Sequence, residues 1–97
     1  MSEAQQMHDW TISRIEFDWS LARVKIELED MTYTTRTLIA EGVKDLHVPR
    51  ANDWGPSVSV NKVSGIEPHL SGFRLTIQIQ SGDVIEIVAD KFTFPVP

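Results

Sequence analysis

The sequence predicts an all-β domain: an antiparallel β-sandwich or small barrel of about seven or eight short strands, with at most one short helical turn. Apolar and polar residues alternate with a period of two through most of the chain, as they do in strands that have one face in water. Turn-forming residues interrupt this alternation at intervals of about ten residues, and no segment keeps a helical period beyond a turn or two. Residues 7–12 are the one place where a short helical turn fits. Because a sandwich and a barrel show the same alternation, the pattern leaves both architectures open.

Residues 14–19 and 23–29 are predicted to form the first hairpin. Each strand has three apolar residues on one face: Ile15, Phe17 and Trp19 on the first, and Val24, Ile26 and Leu28 on the second. Placing Trp19 opposite Val24 gives all three apolar residues an apolar partner at once. This register leaves residues 20–23 as a four-residue loop, a length that is common around type I turns.

The next two predicted strands lie on either side of Glu41 and Gly42. Residues 33–40 contain three threonines and Tyr33, a composition that suits a strand. A shorter strand over residues 43–48 ends at Pro49, because proline has no amide proton to donate to a ladder.

Alternation resumes over residues 57–63, where Val58 and Val60 are predicted to face inward. Residues 64–72 contain two glycines, a proline and two serines, and this composition predicts a loop. Residues 92–94 are predicted to be a brief last strand, since prolines follow directly and end regular pairing.

The last long hairpin is predicted to join residues 73–79 to residues 84–89. A slip of one residue moves every side chain to the other face, so the apolar pattern selects the register. The selected register pairs Ile79 with Ile85, Ile77 with Ile87, and Leu75 with Ala89. It requires a three-residue loop or a bulge at residues 81–83, with Gly82 or Asp83 in the left-handed conformation.

Length and composition predict an acidic, cytoplasmic protein with one domain over residues 1–97 and a disordered polar tail over residues 1–6. The formal net charge is −5, and the nine basic residues are scattered singly, which argues against nucleic-acid binding. The absence of cysteine excludes disulfides, thiolate nucleophiles and cysteine zinc sites. There is no apolar signal-peptide core and no apolar run near the ~20 residues of a membrane span, so no membrane partner is expected.

No motif predicts a catalytic residue, a cofactor or a metal. His8 and Asp9 are neighbours that point apart on an extended chain, so Asp9 is interpreted as the cap of a short helical turn. His8, His47 and His69 have none of the spacings of a local metal-ligand pair. The carboxylates of the first hairpin alternate with basic residues, which is typical of a solvated sheet face. Nucleophile-elbow, phosphate-loop and dinucleotide motifs are absent from the sequence.

The segment 50–61 is the best candidate binding surface. Strand alternation stops there, and Trp54 is followed by a Gly-Pro turn. Tryptophan and arginine are over-represented at binding hot spots. The candidate binding residues are Arg50, Asn52, Trp54, Asn61 and the nearby His47. The alternative is that Trp54 folds back as a lid over the open end of the core, and Trp10 and Trp19 are interpreted as core residues.

Several segments together resemble a group of small bacterial proteins without assigned function. They are His8 with Asp9, the strand 15–19, Gly42 with Val43, the run 46–50, the run 54–61 and the run 80–83. The His-Asp start, followed by an alternating strand with an acidic and aromatic end, is also similar to some small immunity proteins of bacterial toxin systems. These resemblances imply a bacterial, cytoplasmic protein and assign no catalytic residue.

Three functions are consistent with the sequence. The favoured one is a non-catalytic protein-interaction module that binds through segment 50–61 and neighbouring strand ends, with a basic toxin or another copy of the chain as partner. The second is a small-ligand-binding protein or enzyme with a pocket at one end of the β-structure. The third is a homodimer formed through an unprotected edge strand, either residues 33–40 or residues 92–94.

Overall fold

The computed structural model describes residues 7–49 and 59–95, and within them the chain forms eight β-strands. The strands are β1 (Thr11–Asp18), β2 (Arg23–Glu29), β3 (Thr35–Glu41), β4 (Asp45–His47), β5 (Val60–His69), β6 (Gly72–Ile79), β7 (Val84–Ala89) and β8 (Lys91–Thr93). The first sheet has the order β1-β2-β3-β8 and the second has the order β4-β7-β6-β5, all antiparallel. The sheets are not closed into a barrel, so the all-β prediction is confirmed in its sandwich form. Within these two ranges no helix is long and apolar enough to cross a lipid bilayer.

The chain passes between the two sheets twice at one corner of the sandwich. Residues 42–44 lead from β3 to β4, and Asp90 leads from β7 to β8. The amide of Asp90 donates to the carbonyl of Glu41 at 3.0 Å, and the amide of Lys44 donates to the carbonyl of Val88 at 2.7 Å. Two paired strands therefore bend together from one sheet into the other, as strands do at the corners of sandwiches.

The N-terminal segment joins the two sheets on another side. The amide of Asp9 donates to the carbonyl of Val60, and the amide of Val60 donates to the carbonyl of Trp10, both at 2.8 Å. The amide of Trp10 also donates to the carbonyl of Met7 at 3.1 Å, which closes a single turn. This turn lies where the sequence predicted a short helical turn, and β1 begins directly after it.

The core lies between the sheets and consists of the apolar residues that the alternation places on inner faces. Its buried members are Met7, Ile12, Val24, Ile26, Leu28, Leu38, Ala40, Val60, Leu75, Ile77, Ile79, Ile85, Ile87 and Ala89. The inward prediction for Val60 is confirmed, while Val58 lies outside the described residues.

The first hairpin has the predicted loop length but a different register. Phe17 lies opposite Val24, where the sequence placed Trp19, and the four-residue loop runs over residues 19–22. The cause is the chemistry of the turn: a carboxylate oxygen of Asp18 accepts the amide of Leu21 at 3.1 Å. Apolar residues still face apolar residues, because the shift keeps the same faces together.

The β6–β7 hairpin repeats this result. Ile77 lies opposite Ile85, and the three-residue loop runs over residues 80–82, one residue earlier than predicted. The amide of Ile79 donates to the carbonyl of Asp83 at 2.9 Å and closes the loop. Of the two residues predicted to be left-handed, Gly82 takes a positive φ, of 100°. The loop is placed so that this glycine is its last residue, where the left-handed conformation is needed.

The predicted loop over residues 64–72 is wrong, because β5 continues to His69. A shift in register between Ser64 and Glu67 lets the strand continue past its irregular part. Pro68 is tolerated in β5 because this is an edge strand, where a missing amide costs no ladder hydrogen bond on the open side.

The predicted edge strand over residues 33–40 is covered on its second side for only part of its length. Strand β3 begins at Thr35, pairs with β2 throughout, and pairs with β8 over Ile39–Glu41. A homodimer through the rest of β3 stays a prediction. Strand β8, which contains Phe92, lies at the edge of the first sheet as the other alternative requires.

Candidate functional site

The structure separates the two predicted binding residues that it describes. His47 is the last residue of β4 and Asn61 is the second residue of β5, and both are exposed. These strands are the opposite edges of the second sheet, with β7 and β6 between them, so they lie roughly 14 Å apart at about 4.8 Å per strand. The other predicted binding residues, Arg50, Asn52 and Trp54, lie outside the described residues.

Two aromatic side chains at the end of the first hairpin form a different candidate site. The rings of Phe17 and Trp19 meet edge to face, with centroids 5.6 Å apart and an interplanar angle of 72°. Trp19 is 83% exposed and Phe17 is 41% exposed. The interpretation of Trp19 as a core residue is therefore wrong. Trp19 belongs to the turn that follows β1 and not to the strand itself, so the alternation of inner and outer faces no longer places its side chain in the core.

These aromatic rings line one wall of a groove of about 320 Å³, which we call the aromatic groove. Its lining residues are Phe17, Trp19, Val43, Lys44, Asp45 and Leu46. Strand β1 is the edge of the first sheet and β4 is the edge of the second, so the groove lies where the two sheet edges approach each other. The amide of Val43 donates to the carbonyl of Ala22 at 2.8 Å and fixes the first hairpin to the opposite wall.

The groove is apolar along its length and charged at its rim. The ammonium group of Lys44 lies 3.0 Å from a carboxylate oxygen of Asp90, so its charge is directed toward the corner of the sandwich. Asp45 is exposed on β4. Such a lining suits an apolar side chain of a partner, with the charged rim available to orient it.

Trp10 differs from Trp19 in its environment. It is partly buried and packs against the core, as the sequence predicted. Other exposed apolar residues stand at separate hairpin tips, such as Tyr33 between β2 and β3 and Leu70 between β5 and β6. Scattered apolar residues of this kind are normal on protein surfaces, whereas Phe17 and Trp19 adjoin a groove.

His8 and Asp9 meet because the chain makes the local turn that an extended strand lacks. Asp9 has a positive φ of 67°, and its carboxylate lies 3.4 Å from Nε2 of His8. Nδ1 of His8 lies 2.6 Å from the carbonyl of Asn61, and the side-chain amide of Gln80 donates to Asp9 at 2.9 Å. The prediction that Asp9 caps a helical turn is wrong, since its carboxylate instead links the N-terminal segment to the β6–β7 loop.

A strongly lowered pKa in this protein belongs to a turn. Asp30 accepts hydrogen bonds from the side chains of Thr32 and Arg36 and from the backbone amides of Thr34 and Thr32. These donors, the hydroxyl of Thr32 foremost, hold the pKa of Asp30 far below its usual range. The carboxylate orders the β2–β3 loop. In residues 7–49 and 59–95, no group of three or more His, Asp or Glu side chains is placed to hold a metal ion.

No protein-family model, curated protein or solved structure matches the chain. The resemblances to small bacterial proteins and to immunity proteins therefore stay predictions from sequence. The aromatic groove, built from residues of the chain itself, carries the functional argument.

Proposed function

We propose that this chain is a non-catalytic protein-interaction module and that the aromatic groove is its binding surface. The observation that carries the proposal is the exposure of Trp19 beside an apolar groove. A large aromatic side chain is costly to leave in water, and tryptophan is enriched among the residues that dominate binding energy. Exposed apolar surface beside a groove is typical of sites where a partner docks.

The position of β4 supports the proposal. One edge of β4 pairs with β7, and its other edge has no strand partner among the described residues. A partner segment laid along such an edge gains backbone hydrogen bonds, while the adjacent groove receives its apolar side chain. His47 follows the groove residue Leu46 on the same strand, so it stays a candidate for this surface, whereas Asn61 lies on the opposite edge of the sheet.

A basic toxin is one partner that this proposal includes. The formal net charge of −5 favours approach of a basic protein through long-range attraction. The bacterial origin and the cytoplasmic location belong to the same proposal. The association rate with such a partner is expected to fall as the salt concentration rises.

The test compares two exposed side chains. Proteins captured from the source cells by the native chain are identified and purified, and their dissociation constants are then measured by calorimetry with the native chain, Trp19→Ala and Leu70→Ala. We expect Trp19→Ala to weaken binding at least about tenfold, as hot-spot truncations do, and Leu70→Ala to change it little. Equal affinities for all three chains would contradict the proposal, because the groove would then contribute nothing.

A second candidate function is the binding of a small apolar ligand in the same groove. The groove volume of about 320 Å³ falls at the lower end of the range for ligand pockets. A thermal-shift screen of metabolites, repeated with Trp19→Ala, tests it. A compound that raises the melting temperature of the native chain but not of the variant would favour this function.

A further inference from the structure

We infer that the outer edge of β1 is a self-association surface, on which β1 of a second copy of this chain pairs antiparallel with a two-fold axis at Ile15. This inference goes beyond the proposed function. It concerns the edge of the first sheet beside the groove, and it assigns a partner to that edge from its pattern of charges.

Most of this edge has no strand partner among residues 7–49 and 59–95. Strand β1 pairs with β2 on one side over its whole length. On its other side Thr11 forms an isolated bridge with Ser59, and residues 14–18 have no strand partner in the part of the chain that the structure describes. The register shift between Ile12 and Arg14 bends the strand at the start of this open segment.

The charges of β1 select one way for two copies to pair. Side chains that lie directly opposite each other in an antiparallel pair point to the same face of the sheet. The two-fold axis must therefore pass between the two copies of one residue, which lie opposite each other. An axis at Ile15 places Arg14 opposite Glu16 of the second copy, and the pair occurs twice. An axis at Arg14 or at Glu16 would oppose two like charges, and an axis at Phe17 would oppose Glu16 and Asp18. Of these four registers, only the one centred on Ile15 opposes no like charges, and it pairs Arg14 with Glu16 twice.

The same register also covers apolar surface. Ile15 of each copy lies opposite its equivalent on the inner face, which continues the core across the axis. Ile15 of the second copy is then diagonal to Phe17, within reach of an aromatic ring. Phe17 is 41% exposed at an edge strand, and the added strand lies against that exposed side. Two four-stranded sheets become one continuous eight-stranded sheet with closed two-fold symmetry.

Charge reversal tests the pairing directly. The native chain, Arg14→Glu, Glu16→Arg and the double variant are compared by sedimentation equilibrium from about 1 μM to about 1 mM, the range in which small interfaces associate. Each single reversal turns two attractive pairs into two repulsive ones, so we expect the dimer dissociation constant to rise about tenfold or more. The double reversal restores the opposite charges and should return the constant to near its native value.

The matched control is Lys91→Glu on β8. Lys91 is exposed at the edge of the first sheet that lies opposite β1. Its reversal should leave association unchanged. Circular dichroism melts show that each variant is folded, and Glu16→Arg gives the same information should Arg14→Glu unfold.

A cross-link reports the position of the axis. The chain has no cysteine, so Ile15→Cys introduces a single thiol. Thiols directly opposite across the axis are near enough for a disulfide, and oxidation should yield a covalent dimer. Leu70→Cys, at the exposed β5–β6 tip, should remain monomeric under the same conditions.

A native chain that sediments as a monomer at every concentration would overturn the inference. So would a dimer that the single reversals leave intact, or one that the double reversal fails to restore. Trp19 lies beyond the paired segment, so Trp19→Ala should change dimerisation less than about twofold. A failure of self-association is therefore distinguishable from a failure of the groove to bind its partner.

Discussion

Asp30 shows how one carboxylate orders a loop. One of its oxygens accepts the hydroxyl of Thr32 at 2.7 Å, the amide of Thr32 at 2.8 Å and the amide of Thr34 at 3.0 Å, and the other accepts Nε of Arg36 at 2.9 Å. All of these donors favour the charged form, which is why the pKa of Asp30 lies far below that of a free aspartate.

The first prediction is that Asp30→Asn destabilises the protein in a pH-dependent way. Because the pKa is lower in the folded state, the stabilisation is present above the unfolded value of about 4 and is lost as the pH falls through the folded value. The melting temperatures of the native chain and Asp30→Asn should therefore differ most near neutral pH and converge toward pH 2. Asp45→Asn, at an exposed position on β4, is the control for the loss of a carboxylate outside this turn. A constant difference across the pH range would contradict the prediction.

Tyr33 and Gly82 occupy equivalent positions in two three-residue loops. The amide of Tyr33 donates to the backbone carbonyl of Asp30, as the amide of Gly82 donates to the backbone carbonyl of Ile79. Both residues have a positive φ, 62° for Tyr33 and 100° for Gly82. Glycine adopts this conformation at no steric cost, whereas a side chain such as that of Tyr33 is strained in it. Tyr33 is also exposed, so packing offers little compensation.

The second prediction is that Tyr33→Gly raises the free energy of unfolding by about 1 kcal/mol and that Gly82→Ala lowers it by about 1 kcal/mol. Urea denaturation followed by circular dichroism measures both. Met31→Gly, in the same loop as Tyr33 but without a positive φ, should not stabilise. Stabilisation by Met31→Gly equal to that by Tyr33→Gly would show that strain is not the cause.

At the scale of the strand and hairpin, the sequence predicted the lengths of two loops but placed each one residue too late. The apolar pattern specifies which faces meet, and several registers satisfy it equally because the period is two. The choice among them lies with the turn. In β1–β2 the carboxylate of Asp18 accepts the amide of Leu21, and in β6–β7 Gly82 supplies the left-handed residue. Turn chemistry therefore selects one register among those that the apolar pattern allows.

The corner between the sheets depends on Gly42. Its φ is +66°, and a Cβ atom there would lie 2.3 Å from a carboxylate oxygen of Asp90. Asp90 must stay close to Gly42, because its own amide donates to the carbonyl of Gly42 at 3.3 Å. The bend of the paired strands thus requires a residue without a side chain.

The third prediction is that Gly42→Ala lowers the free energy of unfolding by about 2 kcal/mol, from the left-handed backbone together with displacement of the Asp90 side chain. Adding Asp90→Ala removes the carboxylate from this contact and leaves the backbone cost and the closer approach of the Cβ of residue 90 at 2.9 Å. In a double-mutant cycle by urea denaturation, the two substitutions should therefore cost less together than the sum of their separate effects. Strict additivity would show that Asp90 does not crowd this position.

At the scale of the whole molecule, the structure separates residues that hold the sandwich together from residues that are free to bind. Ile77 is fully buried between the sheets, whereas Trp19 stands at an open edge with most of its surface in water. The sequence treats both as apolar members of alternating strands. Only their places in the assembled sheets distinguish them.

The fourth prediction is that Ile77→Ala lowers the free energy of unfolding by about 2–5 kcal/mol, whereas Trp19→Ala changes it by less than about 0.5 kcal/mol. The first substitution leaves a cavity in the core, and the second removes a side chain that few neighbours contact. Urea denaturation measures both. A large loss of stability in Trp19→Ala would show that this residue is structural and would remove the main support of the proposed function.

The amino-acid pattern was sufficient to predict the all-β class, the inner and outer face of the strands, the lengths of two hairpin loops and a left-handed residue at Gly82 or Asp83. These features depend on neighbours a few residues apart, whose alternation and turn chemistry act locally. Only the assembled sheets set the strand order, the edges of β1 and β4 that no described strand covers, the exposure of Trp19 and the separation of His47 from Asn61. These depend on which strands become neighbours across two facing sheets, and a period of two is the same for a strand at the centre as for a strand at the edge.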